Sequence, residues 1–479
     1  MSKSLSELLN AQRSAFLAEG YPSAEKRIER LDRAIAMLLN YEQRLVEALY
    51  DDFEGMSRLG AKRGDILGSI DVLEYTKRNL KSWMAPYSIE LPEDAAKLGM
   101  RAQVRPGPLG VIGAIVPWNG PVLMSTIAIA GAFGAGNRIM IKSSEFAPHT
   151  SETLALAFSE FFSSEEALVI QGEAEVAAQF ARMRFDHLLF TGSTATGRKV
   201  MQAAAENLVP VTLELGGKCP VVIGRGADLG VAAKRIALGK LASAGQVCVA
   251  PDYVYVPAGK SDAFVGMLIE AAQELYPDMV NNEEYTAVIN QQNRSRICAL
   301  LEDAVAQGAQ VIEVPGQPPL NAAKGTRLPL VILTNVTDNM RVMQEEIFGP
   351  LLPVMEYEDF AEPLAYIAQK PHPLSASYFG ADDSERMQVI ERVQTGSVVV
   401  NDVRVQIFYE ALPFGGVGES GIGRYRGYEG FKTFSNLKTV LHQSENEAEL
   451  ARRRPPFDMD AYAAVDTMLS ELRAKRAAP

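Results

Sequence analysis

From Gly110 to Asn401 the chain alternates short apolar runs, rich in β-branched residues, with stretches of helical periodicity. Strands that alternate with helices of about ten to fifteen residues indicate βαβ units, which build parallel sheets. A second such series begins at Val209, so the pattern predicts two α/β domains joined near residue 215. The runs of the first series are V-I-G-A-I-V at 111–116, I-M-I-K at 139–142, L-V-I-Q at 168–171 and H-L-L-F at 187–190.

The segments that precede this pattern are predicted to be helical. At 479 residues the chain is too long for one hydrophobic core. Ser23 is a plausible N-cap for a helix that reaches residue 53, because apolar residues recur there every three to four positions. A second long helix is predicted from Arg63 to Trp83. Prolines between 84 and 108 indicate an extended arm, and the last 35 residues indicate a peripheral tail.

Composition argues against several classes of protein. Three cysteines cannot form a disulfide framework, so we expect free thiols and a cytoplasmic location. A net charge of −12 argues against non-specific binding of nucleic acid. The four histidines show no metal-ligand spacing, and no metal is expected. Apolar runs such as 122–135 are too short or too rich in glycine to span a membrane, and the N-terminus lacks the apolar core of a signal peptide.

Cys248 is the candidate nucleophile. It lies in L-A-S-A-G-Q-V-C-V-A-P-D-Y-V at 241–254, where small and polar neighbours would let a substrate approach. The thiolate is the reactive form of cysteine, and an unperturbed thiol is only slightly ionised at neutral pH. Chemistry at Cys248 therefore requires an activating partner. The alternative is a buried structural cysteine.

Two polar residues of the predicted sheets could take part in such chemistry. Glu214 lies within the apolar run V-P-V-T-L-E-L, where burial would raise the pKa of its carboxyl group towards that of a general base. The alternative is a structural ion pair or hydrogen-bond network. Asn119 follows a strand within P-W-N-G-P and could present its amide N–H₂ to an oxyanion, or could simply stabilise a turn.

Two strand ends are candidate nucleotide sites. The stretch F-T-G-S-T-A-T-G at 190–197 joins a strand to a helix, whose N-terminus offers N–H donors, and Gly192 would let the backbone approach a phosphate. An ordinary strand-to-helix turn is the alternative. Lys142 and Glu145 follow another strand and could hydrogen-bond ribose hydroxyls, or could form a solvated pair. The single G-x-G-x-x-G match, at 416–421, follows no clear strand and is not a dinucleotide fingerprint.

Taken together, seven motifs resemble those of the aldehyde dehydrogenase superfamily. They occur in the family's order and at its spacing, with 34 residues from Glu214 to Cys248. Any one motif is weak, but the ordered set is specific. The run after Cys248, the 412–423 run and the short N-terminus resemble the class 3 and coniferyl aldehyde dehydrogenase branch. The motifs are P-W-N at 117–119, K-x-S-E at 142–145, F-T-G-S-T-x-x-G at 190–197, L-E-L-G-G-K at 213–218, G-Q-x-C at 245–248, E-E-I-F-G-P at 345–350 and L-P-F-G-G-V-G-x-S-G-x-G at 412–423.

The resemblance implies a role for each matching residue. Cys248 would form a thiohemiacetal with the aldehyde and then a thioester, Asn119 and the Cys248 N–H would form the oxyanion hole, and Glu214 would activate water. The implied cofactor is NAD, with NADP possible. The residues implied to bind it are Lys142 and Glu145 at the adenosine ribose, Gly192 and Ser193 at the pyrophosphate, Glu346 at the nicotinamide ribose, Phe348 near the nicotinamide ring, and Trp118 without a specified contact.

The resemblance also implies an α/β architecture of two Rossmann-like, doubly wound parallel-sheet domains with a small oligomerisation arm. A homodimer that acts on a small-molecule aldehyde, without a nucleic-acid partner, is implied. Fatty-aldehyde members of this branch can carry a C-terminal membrane anchor that this tail lacks, so a soluble form is implied. The NAD-binding domain would comprise 1–83 and 109–215, the catalytic domain 216–415, the arm 84–108 and 430–445, and the C-terminal tail 446–479.

Three positions depart from the family's usual pattern. Ser143 stands where proline is usual, and Ser243 where asparagine is usual, which affects cofactor and loop packing. Gly120 stands where Phe or Tyr usually lines the aldehyde tunnel. The missing aromatic side chain predicts a wide tunnel for bulky, aromatic or long-chain aldehydes, unless Phe408 or Tyr409 reoccupies the space.

The leading hypothesis is NAD(P)-dependent oxidation of an aldehyde to the carboxylic acid. One alternative is an acylating dehydrogenase that passes the thioester to coenzyme A, although that branch commonly lacks the glutamate found here at Glu214. Another is a catalytically silent family member with a structural or binding role, although such proteins usually lose the nucleophile that Cys248 would supply.

Overall fold

The structure is a computed structural model that describes residues 3–451 and 454–477. The chain divides into two compact units. The larger unit comprises Met1–Trp83 and Pro108–Ser435, and the smaller comprises Met84–Gly107 and Asn436–Pro479. No helix in the described part of the chain is long and apolar enough to cross a membrane.

The strands build three sheets. In chain order they are β1 (Tyr87–Ile89), β2 (Arg101–Pro108), β3 (Val111–Ile115), β4 (Arg138–Lys142), β5 (Ala167–Ile170), β6 (His187–Gly192), β7 (Val211–Leu215), β8 (Pro220–Ile223), β9 (Tyr253–Pro257), β10 (Gln310–Glu313), β11 (Val331–Thr334), β12 (Leu351–Tyr357), β13 (Ser375–Phe379), β14 (Ser397–Val400), β15 (Gly421–Ile422) and β16 (Ser435–His442).

The α-helices connect and cover these strands. They are α1 (Leu5–Glu19), α2 (Ala24–Asp52), α3 (Arg58–Ala61), α4 (Gly68–Met84), α5 (Glu93–Lys97), α6 (Pro121–Ala135), α7 (Pro148–Phe161), α8 (Ala174–Ala181), α9 (Thr194–Ala205), α10 (Leu229–Leu241), α11 (Ser261–Leu275), α12 (Gln291–Ala306), α13 (Arg341–Gln344), α14 (Ala361–Ala368), α15 (Asp383–Arg392), α16 (Gly427–Thr433), α17 (Glu447–Ala451) and α18 (Met459–Ala477).

The first sheet of the larger unit has six strands in the spatial order β15-β7-β6-β3-β4-β5. Its pairs are parallel except for β15 with β7. The connections that follow β3, β4 and β6 lead into α6, α7 and α9, so three strand-to-helix turns lie along the same edge of the sheet. Ligands of open α/β sheets bind at this carboxyl edge.

The second sheet of the larger unit has seven strands in the order β10-β11-β12-β9-β8-β13-β14, parallel except for β10 with β11. Its central side chains alternate between two core layers. Val221 and Val254 pack in one cluster with α10 and α11, whereas Val222 and Tyr253 pack in the other with α12, α14 and α15. Helices therefore cover both faces, as the predicted doubly wound α/β fold requires.

The chain leaves the first sheet at Leu215 and enters the second at Pro220. The assignment of one sheet to a cofactor domain and the other to a catalytic domain remains a proposal. In the smaller unit, β1, β2 and β16 form a three-stranded sheet in which β2 is central.

The predicted long helices are present, with one difference. Ser23 caps α2 by accepting a hydrogen bond from the N–H of Lys26, as predicted. The helix expected to begin at Arg63 is instead preceded by α3 and a π-helical turn, Lys62–Leu67, before α4 begins. A π turn accommodates more residues than an α turn, and the 3.6-residue period of apolar positions does not signal it.

Candidate active site

The carboxyl edge of the first sheet brings the predicted nucleotide residues together. Lys142 ends β4, and its side chain is 1% exposed and donates to the carbonyl of Ser143. Burial lowers the pKa of the Lys142 ammonium, an effect that the Glu145 and Glu173 carboxylates oppose. A solvated Lys142–Glu145 pair is therefore excluded. Ser143, where the family usually has proline, donates its hydroxyl to the Ile170 carbonyl at 3.2 Å.

Ser193 lies at the N-terminus of α9, as predicted. Its Oγ accepts from the N–H of Thr196 at 3.3 Å and caps the helix, and its side chain is exposed. Gly192 precedes it at the end of β6. The first N–H groups of α9 are thus presented beside the turns that follow β3 and β4, and this arrangement suits the phosphates of a dinucleotide.

The loop before Cys248 is held in an unusual backbone conformation. Ser243, Ala244 and Gly245 all have left-handed backbones, with φ of 49°, 52° and 77°. A Cβ at Gly245 would lie 2.5 Å from the carbonyl oxygen of Gly349, so only glycine fits. Asparagine adopts the left-handed region more readily than serine, so the departure at Ser243 adds strain to this loop.

Gln246 fixes the same loop and connects it to Asn119. Its side chain is fully buried, donates to the Ala287 carbonyl at 2.9 Å and accepts from the Ile289 N–H at 3.0 Å. The Gln246 carbonyl accepts a hydrogen bond from the Asn119 amide at 3.0 Å. This hydrogen bond joins Asn119 to the backbone two residues before Cys248. A residue that only stabilised its own turn would not need a bond to this distant segment.

Cys248 is partly exposed, whereas Cys219 and Cys298 are buried. Burial, together with the Glu214 and Glu346 carboxylates, raises the pKa of the Cys248 thiol to about 12, and Arg426 opposes part of this shift. The thiol is therefore protonated at rest, and its electrostatic neighbours are the two predicted carboxylates.

Glu214 is buried without a hydrogen bond. It is 2% exposed, and neither carboxylate oxygen has a hydrogen-bond partner among the residues that the structure describes. Burial raises the pKa of this carboxyl group to about 8, and Arg426 and Arg424 only partly oppose the shift. The alternative of a structural hydrogen-bond network is thus not supported.

Glycines of the 412–423 run make the space around Glu214. Gly421 pairs with Glu214 across the antiparallel β15–β7 contact. A Cβ at Gly415 would lie 2.8 Å from Oε1 of Glu214 and closer still to the Gly423 carbonyl. The G-x-G-x-x-G match therefore packs over Glu214 instead of forming a helix N-terminus, in agreement with its rejection as a dinucleotide fingerprint.

Glu346, Phe348 and Trp118 form a second cluster. A Cβ at Gly216 would overlap the Glu346 carboxylate, which accepts a hydrogen bond from the Gly217 N–H. Burial raises the pKa of the Glu346 carboxyl group to about 8. The Phe348 and Trp118 rings meet edge to face, with centroids 5.4 Å apart.

A buried ion pair that the sequence did not reveal holds this second cluster. Asp252 accepts from the Ile347 N–H at 2.9 Å and pairs with Lys218. The Lys218 ammonium also donates to the carbonyls of Val342 at 2.7 Å and Glu345 at 3.0 Å. Lys218 belongs to the quoted L-E-L-G-G-K motif, but its partner lies on another segment, so spacing could not identify the pair.

The sequence motifs also did not identify Tyr425 and Arg426 as residues of the site. Tyr425 is 2% exposed, and its hydroxyl donates to Sδ of Met124 at 3.6 Å. Arg426 is buried and donates to the Ile407 carbonyl at 2.6 Å and to Glu410 at 3.2 Å. Both follow the glycine-rich run directly, and only the pairing of that run with β7 brings them near Glu214.

The position after Asn119 is open. Among the described residues beyond its chain neighbours, a Cβ at Gly120 would find only Met124 Cγ within 4 Å, at 3.9 Å. Phe408 and Tyr409 are 61% and 59% exposed. Neither residue comes within 4 Å of a Cβ at Gly120, so the alternative, in which one of them reoccupies the space, is not seen next to that position.

The fold and these residues define an oxidoreductase. Residues 2–440 match the model described as "Aldehyde dehydrogenase family", and the chain belongs to this family. The chain is therefore an enzyme that oxidises an aldehyde, its solved relatives include NAD-dependent and NADP-dependent enzymes, and the resemblance inferred from the seven motifs is confirmed.

Individual proteins of the family that are similar to this chain include coniferyl aldehyde dehydrogenases. The chain is 43% identical over 456 residues to a coniferyl aldehyde dehydrogenase of a Pseudomonas species and to a probable coniferyl aldehyde dehydrogenase of Caulobacter vibrioides, covering 95% of this chain and 94% of each relative. The solved substrate-bound state of Staphylococcus aureus AldH is 31% identical, with a TM-score of 0.88 over 93% of this chain and 95% of that chain.

Iodoacetamide should alkylate Cys248 slowly at neutral pH. Because the thiolate is the reactive form and the thiol pKa is raised to about 12, the rate should rise about tenfold per pH unit from pH 7 to pH 9. Peptide mass spectrometry over time measures this rate, and Cys248→Ala reports the background from the two buried cysteines. A rate that levels off between pH 6 and pH 8 would show a thiol pKa near neutrality.

Proposed function

We propose that this enzyme oxidises a bulky aromatic or long-chain aldehyde with NAD, through covalent chemistry at Cys248. The observation that supports this proposal best is the convergence of three groups. They are a partly exposed thiol, an amide held against the backbone beside it, and the unpartnered carboxyl group of Glu214.

In the first half-reaction the partly exposed Cys248 thiol loses its proton to solvent water, and Sγ attacks the aldehyde carbon. The carbonyl oxygen becomes an oxyanion. The Asn119 amide carries two N–H donors, one of which bonds to the Gln246 carbonyl. We assign the other donor, with the Cys248 N–H, to the oxyanion. Such donors stabilise the thiohemiacetal as its charge develops.

The second half-reaction hydrolyses the thioester. The cofactor, when bound, accepts the hydride that converts the thiohemiacetal to the thioester. Glu214 then takes a proton from the water that attacks the thioester carbon; the carbon–sulfur bond breaks, the carboxylic acid is released, and Cys248 Sγ leaves as a thiolate that recovers a proton. Since its carboxyl pKa is raised to about 8, only a minor fraction is ionised at pH 7, and hydrolysis should accelerate as pH rises towards 8 and beyond.

Two groups of residues fit the cofactor. We assign Lys142 and Glu145 to the adenosine ribose and Gly192 and Ser193 to the pyrophosphate. The support is the shared carboxyl edge of the sheet and the capped helix N-terminus. We assign Glu346 to the nicotinamide ribose, with Phe348 and Trp118 near the ring. The glycine cradle beside Glu346 supports this assignment.

The decisive test compares three single cysteine variants with NAD and a panel of aldehydes, with and without coenzyme A. Cys248→Ala should abolish NADH formation and leave NAD binding nearly intact. Cys219→Ala and Cys298→Ala are the matched controls and should keep comparable turnover. Substantial turnover by Cys248→Ala would contradict the mechanism, and dependence on coenzyme A would favour the acylating alternative.

Glu214→Gln should block thioester hydrolysis more than hydride transfer. Loss of the base should lower steady-state turnover by about 10²–10⁴-fold. A first-turnover burst of NADH should persist in stopped-flow traces, with acyl-enzyme visible by mass spectrometry. If hydride transfer is instead the step that is lost, Glu214 acts chiefly on Cys248.

NAD should be preferred over NADP. Glu145 can accept from a ribose 2′-hydroxyl but would repel a 2′-phosphate, by roughly 1 kcal/mol or more, which is about fivefold in kcat/KM. Lys142 offsets part of this repulsion. Glu145→Gln should reduce the preference, and Glu152→Gln, on the exposed face of α7, is the control. Equal or better kcat/KM with NADP in the native enzyme would refute the preference.

The substrate proposal rests on Gly120 and on the relatives described as coniferyl aldehyde dehydrogenases. Each buried methylene is worth about 0.8 kcal/mol, so a wide tunnel should favour large aldehydes. In a series from acetaldehyde through hexanal to cinnamaldehyde, Gly120→Phe should lose kcat/KM selectively for the large members, by about tenfold or more. Gly120→Ala, which adds only a methyl group, is the control and should have a smaller effect than Gly120→Phe. A uniform effect on all sizes would show that position 120 does not set the tunnel.

We also propose a homodimer located in the cytoplasm. The smaller unit has β1 and β16 at the edges of its sheet, and β16 exposes Leu437 and Leu441. An edge strand of this kind can pair with a partner's sheet. The three free cysteines suit a reducing compartment. Light scattering that shows a monomer across working concentrations would count against the dimer.

A further inference from the structure

We propose that Asp65 is a positioning residue for the oxyanion site, because its carboxylate caps α6 from a distant part of the chain and so fixes the turn that carries Asn119. This inference rests on the proposed function, in which Asn119 binds the oxyanion.

The N-terminus of α6 has two backbone donors to satisfy. The helix begins at Pro121, directly after Asn119 and Gly120, and its N-cap, Gly120, has no side chain to offer. Pro121 has no N–H, and the N–H of Met124 already donates to the Gly120 carbonyl at 2.8 Å. This bond is the first within the helix, so the N–H groups of Val122 and Leu123 are the donors of the first turn that lack an intrahelical partner.

Asp65 lies at both of these donors. Its Oδ1 accepts a hydrogen bond from the N–H of Leu123, with 3.3 Å between the oxygen and the nitrogen, and the N–H of Val122 is close enough to lower the pKa of the same carboxyl group. The residue is only 5% exposed, and the first turn of α6 contains no acidic residue of its own. Burial raises the pKa of the Asp65 carboxyl group to about 6, so at neutral pH it is mostly the ionised acceptor. Negative charge at a helix N-terminus is favourable.

A π-helical turn in the backbone places the Asp65 carboxylate at the N-terminus of α6. Asp65 lies within the π-helical turn Lys62–Leu67, between α3 and α4. A π turn shifts the direction of its side chains relative to an uninterrupted α-helix, and such turns occur frequently at functional sites. The first residue of α4, directly after this turn, also lies against α6, since a Cβ at Gly68 would be 3.8 Å from Cδ1 of Leu123.

Asn119 is therefore held from two sides. Its amide donates to the Gln246 carbonyl in the Cys248 loop, and two residues later the chain enters the helix that Asp65 caps. An oxyanion donor acts only at the correct distance, and a displacement of about 1 Å can cost about a hundredfold in rate. Loss of the cap would relax one of the two anchors of Asn119.

The test uses Asp65→Ala and Asp65→Asn in the full-length enzyme. The control is Asp71→Asn, an exposed aspartate on α4. Asp65→Ala should lower kcat by about ten- to hundredfold with little change in KM, and NAD binding should stay within about twofold of native. Asp65→Asn keeps one acceptor oxygen and should recover part of the loss, and Asp71→Asn should behave as native. Amide hydrogen exchange at Val122 and Leu123 should accelerate in Asp65→Ala while the rest of α6 keeps native protection.

A double-mutant cycle with Asn119→Ala decides whether Asp65 acts through Asn119. If it does, Asp65→Ala should cost little further activity once the amide is gone. An equal fold-loss in both backgrounds would overturn the proposal, as would native kcat in Asp65→Ala or unchanged exchange at Val122 and Leu123. The exchange measurement needs no catalysis, so failure of the cap and failure of the proposed aldehyde oxidation are distinguishable. Should Asp65→Ala fold poorly, the same cycle with the near-isosteric Asp65→Asn applies.

Discussion

The burial of Glu214, with no hydrogen-bond partner among the residues that the structure describes, is the constraint around which the site is built. Raising this carboxyl pKa from 4.5 to about 8 corresponds to roughly 5 kcal/mol at 1.36 kcal/mol per unit. The unfolded chain ionises first as pH rises, so this residue's contribution to the free energy of unfolding falls between pH 4.5 and about 8 and is constant above. Such a cost is comparable with the net stability of a small domain and must be offset by the surrounding packing.

That packing is supplied by close backbone approach and by anchored loops. Gly415 and Gly421 let a distant segment cover Glu214 without contacting it through side chains. Gln246 holds the strained turn before Cys248, and the Lys218–Asp252 pair holds the segment that carries Glu346. Backbone strain and an unpaired carboxyl group thus lie beside the reacting thiol, as expected where a functional arrangement is held against local preference.

Local patterns in the sequence were sufficient for the fold class and for some candidate residues, among them Cys248 and Glu214, whereas Glu346, Phe348 and Trp118 were identified only through the family resemblance. The parallel sheets followed from strands that alternate with helices, and burial of Glu214 followed from its place in an apolar run. The π turn at Lys62–Leu67 could not be predicted, because apolar periodicity does not register it. Nor could Asp65, Arg426 or Tyr425, whose proximity to the site depends on packing between segments far apart in sequence. Gly120 was identified only through resemblance, and the structure adds that the space beside it is open.

Infrared difference spectroscopy across pH, comparing the native enzyme with Glu214→Gln, tests the central claim most directly. Subtraction of the variant removes the contribution of Glu346, whose carboxyl group titrates in the same range. The account predicts a protonated carboxyl C=O stretch for Glu214 that is present at pH 7 and disappears as pH rises through about 8. A carboxylate that is already ionised at pH 6, with a pKa near that of an exposed glutamate, would contradict it.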